Sequence, residues 1–106
     1  MIGCKIADLG NACFFNDQYS DDIQTRQYRC PETMLHAPYS YSADIWSLGC
    51  MIFEMLTGNY LFQPTQHDGI SRDLDQLALF EETLGRIPIE IARRGTLSYR
   101  FFGKDV

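Results

Sequence analysis

The sequence predicts a mainly α-helical unit with one short strand near its start, and three observations carry that reading. A densely apolar stretch from Ala43 to Leu56 runs between serines at its head and Gly58 at its foot. A second stretch, Asp73 to Leu84, is apolar on one side only, and a short run from Lys5 ends on Asp8-Leu9-Gly10. With 45% hydrophobic and 22% charged residues, the 106-residue chain has the usage of a folded protein and is long enough for one small core.

Lys5 to Asp8 reads as a strand whose tip presents a lone carboxylate, with Gly10 letting the backbone turn where a side chain would obstruct it. Ordinary surface turns also end in Asp-x-Gly, so these residues by themselves leave the role of Asp8 open. The segment from Gly10 to Glu32 is polar, charged and without sustained periodicity. It reads as a long ordered loop, and a loop of that length in a compact domain is usually functional.

The next element is a helix. Ser40 or Ser42 can cap it, Asp44 lies in the first turn where the peptide dipoles favour negative charge, and Gly58 stops it. Between them Ile45, Trp46, Leu48, Cys50, Met51, Ile52, Phe53, Met55 and Leu56 point all the way round, which predicts burial on every side. Each large side chain left in water would forfeit about 1.5–3 kcal/mol. The other residues hardly suffice to wrap such a helix, so the expectation is that further polypeptide covers it and that these residues alone expose apolar surface.

After a loop from Pro64 to Gly69, a second helix spans 73–84, capped by Ser71 or Asp73 and closed by Gly85 and then Pro88. Leu74, Leu77, Ala78 and Leu84 fit its apolar side, while Asp75 and Glu82, seven positions apart, share a polar face. The tail from Arg93 to Val106, with Tyr99, Phe101 and Phe102, is expected to pack. No internal repeat or low-complexity segment is present.

A net charge of −5 makes nucleic acid a poor direct partner, since phosphate binding needs clustered Lys and Arg; basic peptides suit the chain better. Cys4, Cys13, Cys30 and Cys50 form no C-x-x-C pair, and His36 and His67 keep no zinc-like spacing to them. Glu54 interrupts the longest apolar run, which excludes a membrane span, and nothing near Met1 reads as a secretory signal. The expectation is an intracellular protein with reduced thiols, cytoplasmic or nuclear.

Three motifs stand in one order: "DLG" at Asp8 to Gly10, "TRQYRCPE" at Thr25 to Glu32, and "SADIWSLGCMIFEMLTG" at Ser42 to Gly58. Together they resemble the C-terminal lobe of a eukaryotic protein kinase. The resemblance implies the α+β protein-kinase-like fold, of which residues 1–106 would be a partial domain from the mainly α C-terminal lobe. The metal-binding loop and activation segment would be 8–32, the buried central helix 42–57, and an acidic amphipathic helix 73–84. More closely, "KIADLGNAC", "DIQTRQYR", "ADIWS", "RDLDQLAL" and "LGRIP" are similar to the SR-protein kinases, which phosphorylate serines of arginine–serine-rich splicing factors. Two departures are Cys30 in place of the alanine of Ala-Pro-Glu, and Asn59 where the closest family members carry aspartate.

The resemblance implies ATP and Mg²⁺ as cofactors, with Asp8 as the metal ligand, Leu9 packed into the core behind it and Gly10 supplying the turn. Thr25 would place its hydroxyl beside the catalytic aspartate or that residue's lysine partner. Arg29 would contact backbone near the residue following the phosphorylated serine, with Arg26 and Gln27 along the same substrate-side strip. Glu32 would pair with a buried arginine beyond Val106, Asp44 would hold the backbone of the catalytic loop, and Trp46 would anchor the core. Asp75 and Glu82 would dock arginine-rich substrate segments, although a solvated acidic face is the plainer reading of the same residues, and Asn59 removes one charge from that groove. The glycine-rich loop, the β3 lysine, its glutamate partner and the H-R-D-x-x-x-x-N catalytic loop are absent from these residues. The piece alone is therefore expected to be inactive, needing the remainder of a kinase domain for ATP binding. The alternatives are a non-catalytic acidic module docking basic peptides, or a remnant.

Overall fold

The structure, a computed structural model, describes residues 2–103. It is mainly helical, with α1 at Pro31–Met34, α2 at Ser42–Thr57, α3 at Arg72–Leu84, α4 at Ile89–Arg94 and α5 at Tyr99–Phe102. Two short 3-10 turns, Leu9–Asn11 and Arg26–Tyr28, precede them.

The ends of these helices follow from local chemistry. Pro31 opens α1, where its missing N–H would have had no helical partner anyway. Gly58 ends α2 at φ 78°, and its N–H closes the last turn on the Glu54 carbonyl at 2.7 Å. The residue before α2 is Tyr41, with no side-chain cap, so neither expected serine performs that role. Ser71 does cap α3, its hydroxyl accepting the Leu74 N–H at 3.2 Å, and Gly85 follows at φ 91°.

The strand expected at Lys5 to Asp8 does not form; residues 2–8 are irregular and exposed. A strand needs a neighbour to take its N–H and C=O groups, and no other segment among the described residues offers one. The single bridge there joins His67 to Ile70, across Asp68 and Gly69 at φ 47° and 77°, the paired positive values of a tight two-residue turn.

The core gathers Met34, Leu35, Cys50, Phe62, Leu77 and Phe80. Trp46 of α2 stacks on Phe62 with centroids 5.7 Å apart, and both rings meet Phe80 edge-on, at 5.0 and 4.7 Å. Such offset and edge-to-face pairs add to what area burial alone contributes. Phe101 and Phe102 rest against this cluster while Tyr99 stays exposed; the expectation for 104–106 lies outside the described residues. The segment after α4 runs close beside α1, where Leu97 N–H bonds the Leu35 carbonyl at 3.0 Å. Gly95 permits that approach, because a Cβ there would fall 2.6 Å from Leu35 Cβ and 2.7 Å from its carbonyl oxygen.

Among the described residues α2 is not covered on all sides, and apolar surface is exposed, as expected of these residues alone: Ala43 and Cys50 are its buried residues, with Trp46 half-buried. Met55 and Leu56 remain 75% and 81% exposed, and Ile45, Leu48, Met51, Ile52 and Phe53 are exposed as well. The physical reason is the position of the core, which lies on one side of α2 only. On α3 the inward residues are Gln76, Leu77 and Phe80, whereas Leu74, Ala78 and Leu84 face out. No helix among the described residues is long and apolar enough to cross a membrane.

The four thiols divide into two pairs: Cys4 and Cys13 are exposed, Cys30 and Cys50 buried. Burial pushes the Cys30 thiol up to about 11 and raises that of Cys50, since the thiolate loses its hydration. With the folded value raised, the unfolded chain gives up its proton first, so this contribution to stability is complete below the unfolded thiol range and is lost as pH climbs toward 11. At pH 8 a thiol reagent should therefore modify Cys4 and Cys13 quickly and Cys30 and Cys50 only on unfolding. Equal rates at all four would contradict this packing.

Candidate active site and docking helix

The first turns of α2 form the platform to which the preceding loop is fastened. At the centre is Gln24, in the left-handed conformation at φ 70°, which costs a non-glycine residue about 1–3 kcal/mol. Its own contacts offset that cost. The side-chain amide donates to the Ala43 carbonyl at 2.7 Å and to Ser47 Oγ at 2.9 Å, while its oxygen accepts the Cys30 N–H at 3.0 Å. The Gln24 carbonyl accepts from Arg29 Nε and Nη2 at 3.2 and 2.9 Å. Each such bond contributes about 1 kcal/mol net.

Between Gln24 and Cys30 the chain makes one 3-10 turn, begun by Thr25, whose carbonyl accepts the Tyr28 N–H at 2.8 Å. Ser47 Oγ donates to the Tyr28 carbonyl at 2.8 Å. The Tyr28 hydroxyl donates to the Glu54 carboxylate at 2.6 Å, and that hydrogen bond to a nearby anion pushes the phenol up to about 12. Further upstream the Tyr39 hydroxyl donates to the Ser20 carbonyl at 2.7 Å, and Phe15 stacks on Tyr41 at 5.5 Å.

This fastening produces a cleft of about 640 Å³ between the loop and the start of α2, lined among others by Gln24, Thr25, Arg29 and Asp44. Thr25 and Asp44 are exposed and Arg29 is half-buried. Asp44 stands in the first turn of α2. Three of the residues singled out in the sequence thus meet in one place. Gln27 is half-buried next to them in the chain.

Asp8 lies apart, outside that lining, exposed and at φ 61°, ψ 63°. The sharp turn is therefore made by Asp8 rather than by Gly10, which has ordinary negative φ and would tolerate a Cβ with only an ordinary contact to Asp8 Oδ1. Leu9 does not pack into the core; it is 67% exposed, because no side chain of the core cluster reaches the 3-10 turn that carries it. No group of three or more metal-ligating side chains occurs among the described residues. A lone carboxylate still fits Mg²⁺, which keeps several waters and takes one or two protein carboxylates.

Glu32 is half-buried and makes no ion pair among the described residues. The ion pair that does form joins Arg26 Nη1 to Asp73 Oδ1 at 2.7 Å. Gln76, fully buried, donates to the Arg26 carbonyl at 2.6 Å and accepts from Arg26 Nη1 at 3.3 Å. Arg26, expected along a substrate strip, thus turns its guanidinium onto α3. On the same helix Asp75 Oδ2 accepts the Thr65 N–H at 2.8 Å, and Glu82 is exposed.

Gln24, Ser47, Glu54, Asp73 and Gln76 were not singled out as site residues by sequence reasoning, where Asp73 figured only as a cap candidate and Glu54 only as the charge that interrupts an apolar run. Each makes at least one bond across 19 to 50 positions, a separation that leaves no trace in local periodicity. Asp73 alone had a signal, as an acid in the first turn of α3.

A loop fastened to the head of a partly apolar central helix, with an acidic helix alongside, is the arrangement of the lower lobe of a protein kinase. The protein kinase domain family model matches residues 2–99, and the chain belongs to that family. Within it the chain is 54% identical over 104 residues to serine/threonine-protein kinase spk-1 of Caenorhabditis elegans, covering 98% of this chain and 10% of that protein. It is 50% identical over 103 residues to human SRSF protein kinase 3, covering 97% and 18%, and 46% identical over 102 residues to SKY1 of Saccharomyces cerevisiae, covering 96% and 14%. The similarity to these kinases runs over nearly the whole of this chain. The chain spans about a tenth to a fifth of their length.

Proposed function

We propose that this chain is the activation-segment and docking-helix part of a serine/threonine kinase that transfers the γ-phosphate of ATP to serines in arginine–serine-rich proteins. The observation that carries the reading is the convergence of Thr25, Arg29 and Asp44 on one cleft, with Asp75 and Glu82 on the neighbouring α3. Phosphoryl transfer is mostly positioning and charge neutralisation, and each of these residues has a part in it.

Asp8 would hold Mg²⁺, which supplies charge neutralisation at the β- and γ-phosphates when bound. Thr25, whose hydroxyl has no hydrogen-bond partner among the described residues, would bond a catalytic aspartate or lysine beside it. Arg29 already spends two donors on the Gln24 carbonyl, which leaves the others of its planar head for a substrate carbonyl. Asp44 would accept backbone N–H groups of a catalytic loop. Asp75 and Glu82 would receive arginine side chains of the substrate, Asp75 through the oxygen that Thr65 does not use.

The test is capture of the native polypeptide with an antibody against Asp22 to Arg29, followed by intact-mass measurement and an assay with ATP, Mg²⁺ and an arginine–serine peptide. A mass several times that of these residues, together with phosphate on the peptide serines, is expected. Capture of a polypeptide of that larger mass that leaves the peptide unmodified would overturn the reading.

A further inference from the structure

We infer that Asp73 determines substrate specificity by cancelling the charge of Arg26 within the substrate strip; the inference rests on the proposed function and deepens it. A strip that receives a serine flanked by arginines is an unfavourable place for an exposed cation. Two arginines nevertheless stand there, at 26 and 29. Arg29 directs its guanidinium into the Gln24 carbonyl, whereas Arg26 is met by a full negative charge, Asp73 Oδ1 at 2.7 Å.

The pairing is built rather than incidental. Arg26 is gripped at both ends by Gln76, which takes its backbone carbonyl at 2.6 Å and its Nη1 at 3.3 Å, and Gln76 is completely shielded from water. A neutral amide is the side chain that can do both, donating to the carbonyl and accepting from the guanidinium. The grip keeps the head of Arg26 on α3, next to Asp73, and so away from an incoming basic peptide. Arg26 and Asp73 keep 26% and 50% of their side-chain surface exposed, so a peptide in the strip would sense whichever charge remained uncancelled.

Asp73→Asn keeps the acceptor oxygen and nearly the shape while removing the charge. In the polypeptide of native length, fluorescence anisotropy with a short arginine–serine peptide should show binding weakened about threefold at low salt, and less at high salt. Adding Arg26→Gln to that variant should restore the affinity, since the uncancelled cation is then gone. A merely structural Asp73 predicts the opposite, with the double variant at least as weak as the single one. Unchanged binding by Asp73→Asn, or failure of the second substitution to restore it, overturns the inference. If the unsubstituted polypeptide bound neither this peptide nor a longer arginine–serine repeat, the functional reading itself would fall, and the role of Asp73 with it.

Discussion

Phe62→Ala is expected to destabilise the chain by about 3–5 kcal/mol, the usual loss for emptying a large buried aromatic site. Phe62 is 1% exposed and is the residue on which the core turns, since Trp46 stacks on it and Phe80 meets it edge-on. Its removal leaves both partners with a void on one side and loses their dispersion contacts together. Domains of this size are stable by about 5–15 kcal/mol, so one such change uses up much of the margin. Trp46 stacks directly on the emptied site, so its emission reports on that packing in a polypeptide of these 106 residues. The denaturation midpoint should fall and the Trp46 emission shift to the red, whereas Phe62→Leu should recover more than half of the loss. An unchanged midpoint would mean that the aromatic triplet does not carry the core.

Asp8→Asn is expected to lower phosphoryl transfer by the native-length polypeptide by about a hundredfold or more, with no change in melting temperature. The Asp8 side chain is exposed and makes no hydrogen bond or ion pair among the described residues, so removal of its charge is expected to leave stability unchanged. Asparagine is the informative replacement, because Asp8 sits at φ 61° and asparagine adopts that conformation with little strain. Asp8→Ala would mix a backbone penalty with the loss of charge. Transfer at the unsubstituted rate by the asparagine variant would overturn the proposed role of Asp8 as a metal ligand.

The two long helices were legible because their ends are written in adjacent residues: Gly58 after Thr57, Ser71 three positions before Leu74, and Gly85 after Leu84. Their surroundings were not. The composition of α2 asks for covering all round, which these residues were expected not to supply; which side they do cover, leaving Met55 and Leu56 exposed, emerges only from packing. The strand at Lys5 to Asp8 is not found for a related reason, since a short run ending in a turn does not supply a partner ladder. In the candidate site Thr25, Arg29 and Asp44 were found through their motifs. Gln24 was overlooked because it is an unremarkable polar residue until its amide meets Ala43 and Ser47 across nineteen and twenty-three positions. The turning of Arg26 onto Asp73 likewise depends on a contact across forty-seven positions.

The manner in which Gln24 is held bears on control. The groups that fasten Gln24 and Cys30 are amides, hydroxyls, carbonyls and the guanidinium of Arg29, and the one anion that holds the turn to α2, Glu54 on the Tyr28 hydroxyl, is a side chain of the chain itself. Segments that are ordered by an added phosphate hang on a new negative charge facing arginine, and lose their shape when a phosphatase removes it. Here the arginine is already satisfied by a carbonyl of the chain itself. The bonds that shape the turn among the described residues therefore include none to an added phosphate.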